Sequence, residues 1–145
     1  MGRRKHNSAE ARKEANKTLY VAKLMNNPTS PRKTRLVADL IRGVDVDKAL
    51  GILQYNPRES APKMRKLLLS AVANWQAKNE GRRMEDSQLY VKQIMVNEGR
   101  TLRRMMTAPQ GRGYRIRKRS NHITVVLGSR VDDAPQQSTE KEETK

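Results

Sequence analysis

From Tyr114 to Leu127 the residues alternate with a period of two, and one face changes character part-way along. The odd positions read Arg115, Arg117, Arg119, Asn121, Ile123, Val125 and Leu127. Side chains two apart share one face of a strand. A strand through this segment therefore carries cations on the first half of a face and aliphatics on the second. No single environment suits both halves. The second must cover a core while the first runs out beyond it, with the change near Asn121. Residues 99–107 supply a partner for the cationic half, and Thr107-Ala108-Pro109-Gln110-Gly111 supplies a turn. The segment 99–122 thus reads as a hairpin. Roughly 10 residues per strand at about 3.3 Å each predicts an arm of about 30 Å. A lone two-stranded ribbon is marginal in water, so it should become rigid only inside a partner.

The charge of the arm indicates that partner. Between Gly99 and Val131 there are nine cations, eight of them arginine, and no acid. Arginine presents a planar fork of donors that matches phosphate oxygens. A block this dense repels itself unless counter-anions neutralise it. Charges also protect strand edges, but such protection uses a few cations, often lysine, and not an arginine-dominated block. The formal net charge of +16 over 145 residues points the same way, toward nucleic acid before an anionic membrane. Aromatics are limited to Tyr20, Tyr55, Trp75, Tyr90 and Tyr114. Single-strand binders stack bases on aromatic platforms, so a folded, phosphate-rich nucleic acid fits better.

Other classes fall away. Without cysteine, disulfides, thiolate metal sites and thiol nucleophiles are excluded. No apolar run approaches the roughly 20 residues of a membrane span, and the N-terminus lacks the apolar region of a secretory signal. A soluble, reducing, cytoplasmic setting is expected. No nucleophile–base pair, carboxylate pair, metal cluster, P-loop or dinucleotide fingerprint is present. The reading therefore assigns no catalytic residue, no metal and no cofactor. Of the two histidines, His122 beside Ile123 is a hydrogen-bonded strand residue or an RNA contact.

Three regions follow from composition. Residues 1–18 form a basic flexible arm that orders on binding, or a frayed helix. Residues 131–145 form an acidic disordered tail. Residues 19–130 form a single α+β domain, with three helices packed on a small antiparallel sheet and the hairpin extending from it. Leu19 to Met25 reads as a strand. Ser30-Pro31 starts a helix, with Ser30 as N-cap and Pro31 at the first helical position. It runs to Arg42, stops at Gly43, and buries Leu36, Val37, Leu40 and Ile41. Asp45 caps a second helix with the stripe Val46, Ala49, Leu50 and Leu53. A third runs from Glu59 to Lys78, burying Ala61, Met64, Leu68, Ala71, Val72 and Trp75, and closes at Asn79 and Gly81. Leu89 to Val96 is a strand with Leu89, Val91 and Met95 on one face, interrupted at Asn97-Glu98-Gly99. Arg32, Lys33 and Arg35 at the start of the first of these helices oppose its dipole. A phosphate on the free amides would offset that.

Four segments, in order, resemble the bacterial large-subunit ribosomal protein twenty-two family. They are Ser30-Pro31-Arg32-Lys33-Thr34-Arg35-Leu36-Val37-Ala38-Asp39-Leu40-Ile41-Arg42-Gly43, Ala49-Leu50-Gly51-Ile52-Leu53, Ser70-Ala71-Val72-Ala73-Asn74, and Arg115-Ile116-Arg117-Lys118-Arg119-Ser120-Asn121-His122-Ile123-Thr124-Val125-Val126. The likeness runs from about Leu19 to Arg130. It implies a structural constituent of the large ribosomal subunit that binds its rRNA and supports assembly. It also implies that the hairpin lines the nascent-peptide exit tunnel. The implied RNA contacts are Arg32, Lys33, Arg35, Arg42, Arg100, Arg103, Arg104, Arg112, Arg115, Arg117, Lys118 and Arg119, with His122 added from its position in the strand. The implied tunnel-lining tip is Met106, Thr107, Ala108, Pro109, Gln110, Gly111 and Arg112. Here Ala108 stands where the family's tip usually has arginine, and Gln110 where a cation is common. The implied partners are large-subunit rRNA, neighbouring ribosomal proteins and the nascent peptide, with no membrane and no homo-oligomer. The alternative is an architectural DNA-binding protein using basic β-arms.

Overall fold

In a computed structural model, residues 3–17, 19–79 and 87–130 are described. The order of elements is α1 (Arg3–Lys17), β1 (Tyr20–Asn27), α2 (Pro31–Ile41), α3 (Val46–Tyr55), α4 (Ser60–Lys78), β2 (Leu89–Glu98), β3 (Leu102–Thr107), β4 (Gly113–Lys118) and β5 (Asn121–Ser129). The fold is α+β. Strands β1, β5 and β2 form one antiparallel sheet in that order, and β3 pairs with β4 as a separate two-stranded ribbon. Helix α1 falls within the expected N-terminal arm, and its side chains from Arg3 to Glu14 are exposed. The expected acidic tail and Gly81 lie outside the described residues.

Strand β5 is central because it is the most apolar. Ile123, Val125 and Leu127 are buried on the face that α2, α3 and α4 cover. Register places Ile123 between Leu24 and Val96, and Val125 between Ala22 and Ile94. Trp75 of α4 fills the same core, edge-on to Tyr20. The α4 stripe is buried as expected, with Leu67 added. In α3, Val46, Ala49 and Leu53 are buried and Leu50 is half-buried. Gly43 takes φ +75°, a left-handed terminator after α2 that glycine adopts without strain.

Two predicted faces are corrected. In α2, Val37 and Ile41 are buried together with Thr34 and Ala38, whereas Leu36 and Leu40 stay 52% and 46% exposed. The helix is rolled so that Thr34 reaches a buried polar cluster on one side and Arg35 reaches the sheet edge on the other. In β2, Val91 opposes Leu127 and Gln93 opposes Val126, leaving Lys92 as an extra residue. A bulge of this kind reverses which residues face the core. Ile94 and Val96 therefore enter it, and Met95 turns outward. The strand also continues further than expected, since Asn97 and Glu98 pair with His122 and Asn121.

Both outer edges of the sheet are occupied. Along β2, Arg35 donates through Nε and Nη2 to the Val96 carbonyl (3.1 Å each), and Arg42 donates to the Ile94 carbonyl (3.4 Å). The backbone of Gly43 and Val44 bonds to Val91. Along β1, Asn74 donates to the Val21 carbonyl and Lys78 to the Leu19 carbonyl. Carbonyls that would otherwise template another strand are thus taken by helix side chains.

Candidate nucleic-acid interface

The ribbon is a ladder of six pairs, from Leu102↔Lys118 to Thr107↔Gly113. At about 3.3 Å per residue that is about 20 Å, shorter than the 30 Å expected, because pairing begins three residues after Gly99. Opposed residues share a face. One face carries Arg103, Arg115 and Arg117 with Met105. The other carries Arg104 and Lys118 among Leu102, Met106, Ile116 and Tyr114. Every side chain except the half-buried Ile116 is exposed. Among the described residues no carboxylate lies within ion-pair distance of a ribbon cation, because the ion pairs there are all on the body and α1. Among the described residues their mutual repulsion is therefore unrelieved.

At the tip, the Ala108 N–H donates to the Arg112 carbonyl (2.8 Å). A short turn of 3₁₀ type spans Pro109–Gly111, with Gln110 at φ 63°. Met106, Thr107, Pro109, Gln110, Gly111 and Arg112 are exposed and Ala108 is half-buried.

At the foot, the chain is pinched. The Gly99 N–H donates to the Ser120 carbonyl (2.9 Å), and the Ser120 hydroxyl donates to the Arg100 carbonyl. A Cβ on Gly99 would lie 2.7 Å from Ser120 Oγ and 3.2 Å from His122 Nε2. Only glycine fits. His122 Nδ1 accepts the Asn26 N–H (3.0 Å), bracing β5 against the irregular end of β1.

Beneath this pinch lies a buried polar cluster. Asn121 has no exposed surface, and its amide donates to the Thr29 carbonyl (2.9 Å), Thr29 Oγ1 (2.9 Å) and Thr34 Oγ1 (3.0 Å). Its Oδ1 accepts from Asn27 Nδ2 (3.1 Å), which also donates to Thr29 Oγ1 (2.7 Å). Thr34 Oγ1 donates to the Ser30 carbonyl and lies 3.3 Å from Ser60 Oγ. Among the described residues no buried side-chain nitrogen or oxygen lacks a partner. The cluster ties the end of β1, the starts of α2 and α4, and the start of β5 to one point. Sequence reasoning missed Asn27, Thr29, Thr34 and Ser60, because short polar residues around prolines read as turn chemistry. The one available signal was Asn121, at the change from cationic to apolar.

Above the cluster opens a cleft of about 750 Å³, walled by the β1–α2 connection, the start of α4 and the foot of the ribbon. Lys33, Arg58, Arg100, Arg117, Lys118 and Arg119 line it, with one acid, Glu59. The Lys63 ammonium holds the Glu59 carboxyl below its ordinary 4.5 by a 2.8 Å hydrogen bond and by its charge. The structure therefore brings together Lys33, Arg100, Arg117, Lys118 and Arg119 of the expected contacts and adds Arg58. Arg103, Arg104, Arg112 and Arg115 lie along the ribbon and tip. Arg32 is exposed on the first turn of α2. Arg35 and Arg42 serve the sheet edge, and Arg42 also pairs with Asp39 (3.1 Å).

Two expected caps hold in position but not in side-chain bonding. Ser30 and Asp45 occupy the N-cap positions of α2 and α3 but make no side-chain cap bond. Thr34 turns back to the Ser30 carbonyl, and the Asp45 carboxylate accepts from Lys48 (3.1 Å) and Arg130 (2.9 Å). The Lys48 hydrogen bond is the leading cause that lowers the Asp45 carboxyl below 3.8.

Comparison with known proteins gives a consistent result. The family described as ribosomal protein L22p/L17e matches residues 22–128. A protein of Bacteroides thetaiotaomicron named large ribosomal subunit protein uL22 is 59% identical over 136 residues, covering 94% of this chain and 99% of its own length. Proteins of the same name are 59% identical over 133 residues in Porphyromonas gingivalis (92% and 98%) and 62% identical over 127 residues in Parabacteroides distasonis (88% and 93%).

Proposed function

The chain belongs to the ribosomal protein L22p/L17e family, and on that premise we propose how its surface serves the large ribosomal subunit. It is a structural constituent of that subunit, and its place is the ribosome. The body and the cleft bind large-subunit rRNA through Arg32, Lys33, Arg58, Arg100, Arg117, Lys118 and Arg119. The ribbon enters a gap between RNA segments, where Arg103, Arg104, Arg112 and Arg115 neutralise phosphates on both sides. Phosphate contacts of this kind position a protein on folded RNA without reading sequence. The tip, residues 106–112, faces the nascent peptide in the exit tunnel, and other faces meet neighbouring ribosomal proteins. Arg35 and Arg42 add to the field while holding the β2 edge. His122 braces the foot of the ribbon and stands beside the RNA path. The N-terminal arm, residues 1–18, docks on RNA. We assign the chain no catalytic activity.

The observation that carries this reading is the ribbon itself, whose cations have no carboxylate partner among the described residues and whose side chains are exposed but for the half-buried Ile116. Nothing in the relatives favours the DNA-bending alternative. The test is a sucrose gradient of lysate from cells making a tagged chain, run in low and in high salt. Comigration with the large subunit that survives high salt supports an integral role. Migration with chromosomal DNA, or release as a free dimer, would overturn it.

A further inference from the structure

The cleft at the foot of the ribbon has a chemistry that phosphate contacts alone do not explain. Its lining includes Pro28, Leu36 and Leu102, and Leu36 and Leu102 remain 52% and 44% exposed. A bare phosphate backbone would satisfy the cations and leave both leucines in water. The volume of about 750 Å³ lies within the ~300–1,000 Å³ of sites that enclose small ligands.

We propose that this cleft receives one rRNA nucleotide turned out of its stack, with the base on Leu36 and Leu102 and the phosphate on Lys33, Arg100 and Arg117. The proposal rests on the rRNA-binding reading above and specifies one contact within it. Charge supports it, since Glu59 on the rim is already taken by Lys63. Preorganisation supports it as well. The walls come from three separate segments, and the Asn121 cluster ties their ends together, so little ordering cost falls on binding. Among the described residues the lining contains no aromatic. The base is therefore covered by aliphatic side chains and guanidinium planes, and such planes do stack on splayed-out bases in RNA sites.

The experiment places a photoreactive leucine analogue at position 36 or 102 of the full chain, assembles it on large-subunit rRNA and maps crosslinks by reverse transcription. The expected result is that both positions mark the same nucleotide, and that its ribose reacts with acylating probes as an unstacked one does. Crosslinks to a protein, to unrelated RNA segments, or none from a chain that remains bound would overturn the cleft assignment alone. A chain that does not bind rRNA would overturn it together with the functional reading. In parallel, the Leu36→Ser/Leu102→Ser variant, altered only at exposed side chains, should bind rRNA roughly tenfold more weakly with its salt dependence unchanged. Unchanged affinity would refute the base-on-leucine contact.

Discussion

Replacing Asn121 probes the joint between core and ribbon. The side chain is fully buried, shares its two amide hydrogens among three acceptors at 2.9–3.0 Å and accepts one bond at 3.1 Å. In Asn121→Leu the heavy-atom count and branching are kept while two bulkier methyls replace the amide, and the Thr29 carbonyl and the Asn27 amide each lose a partner where water does not reach. Each such group costs about 1–3 kcal/mol, so the pair gives about 3 kcal/mol. That is a large share of a domain stability of about 5–15 kcal/mol, and it should lower Tm by about 10 °C or more. The assay is urea unfolding of the free protein followed by circular dichroism. Arg119→Ala, two residues away and exposed, is the control and should stay within about 0.5 kcal/mol of the parent. If Asn121→Leu loses less than about 1 kcal/mol, the cluster is not what holds the joint, and the argument for a preformed cleft goes with it.

Changing Arg115, Arg117 and Arg119 together to alanine should weaken RNA binding and flatten the slope of log K against log salt by roughly 0.7–0.9 per lost phosphate contact; an unchanged slope would remove these residues from the interface. Gly99→Ala should cost about 1–3 kcal/mol through its clash with Ser120 Oγ, and adding Ser120→Ala should restore part of it; equal unfolding midpoints for Gly99→Ala and the parent would show that the pinch is soft. The lowered Asp45 carboxyl contributes stability that is present above its ordinary 3.8 and lost as pH falls through its folded value. Asp45→Asn should therefore flatten the acid limb of the Tm-against-pH curve slightly, and an unaltered limb would mean that the Lys48 and Arg130 contacts contribute nothing.

Strand β5 and helix α4 were legible because their patterns are long and unambiguous: the odd positions from Ile123 to Leu127 and the apolar stripe from Ala61 to Trp75 are buried as read. Helix α2 was misjudged because Leu36 and Leu40 sit about 100° from Val37 and Ile41, so two adjacent stripes were equally helical. Hydropathy favoured the leucines. The fold favoured Thr34, whose hydroxyl satisfies the Asn121 amide, and left the leucines at the surface, Leu36 in the cleft wall. Met95 was misplaced because nothing in its neighbourhood announces the extra residue at Lys92. The cationic ribbon was read from its alternation, its turn residues and its charge. Its separation from the main sheet was not, because Arg119 and Ser120 continue the alternation while the backbone changes partners. The cleft was invisible in sequence, since its walls come together only when Pro28, Arg58 and Arg117 are folded into one place.

The closed hydrogen-bond network under Asn121 also sets a mechanical tolerance. A ribbon about 20 Å long acts as a lever, so a 10° tilt at its foot displaces the far end by about 3.5 Å, roughly one atomic contact. What the tip meets is thus decided by the stiffness of a hinge that touches none of it. Two side chains buried at the fulcrum, Asn27 and Asn121, govern the aim of an arm that begins beyond them.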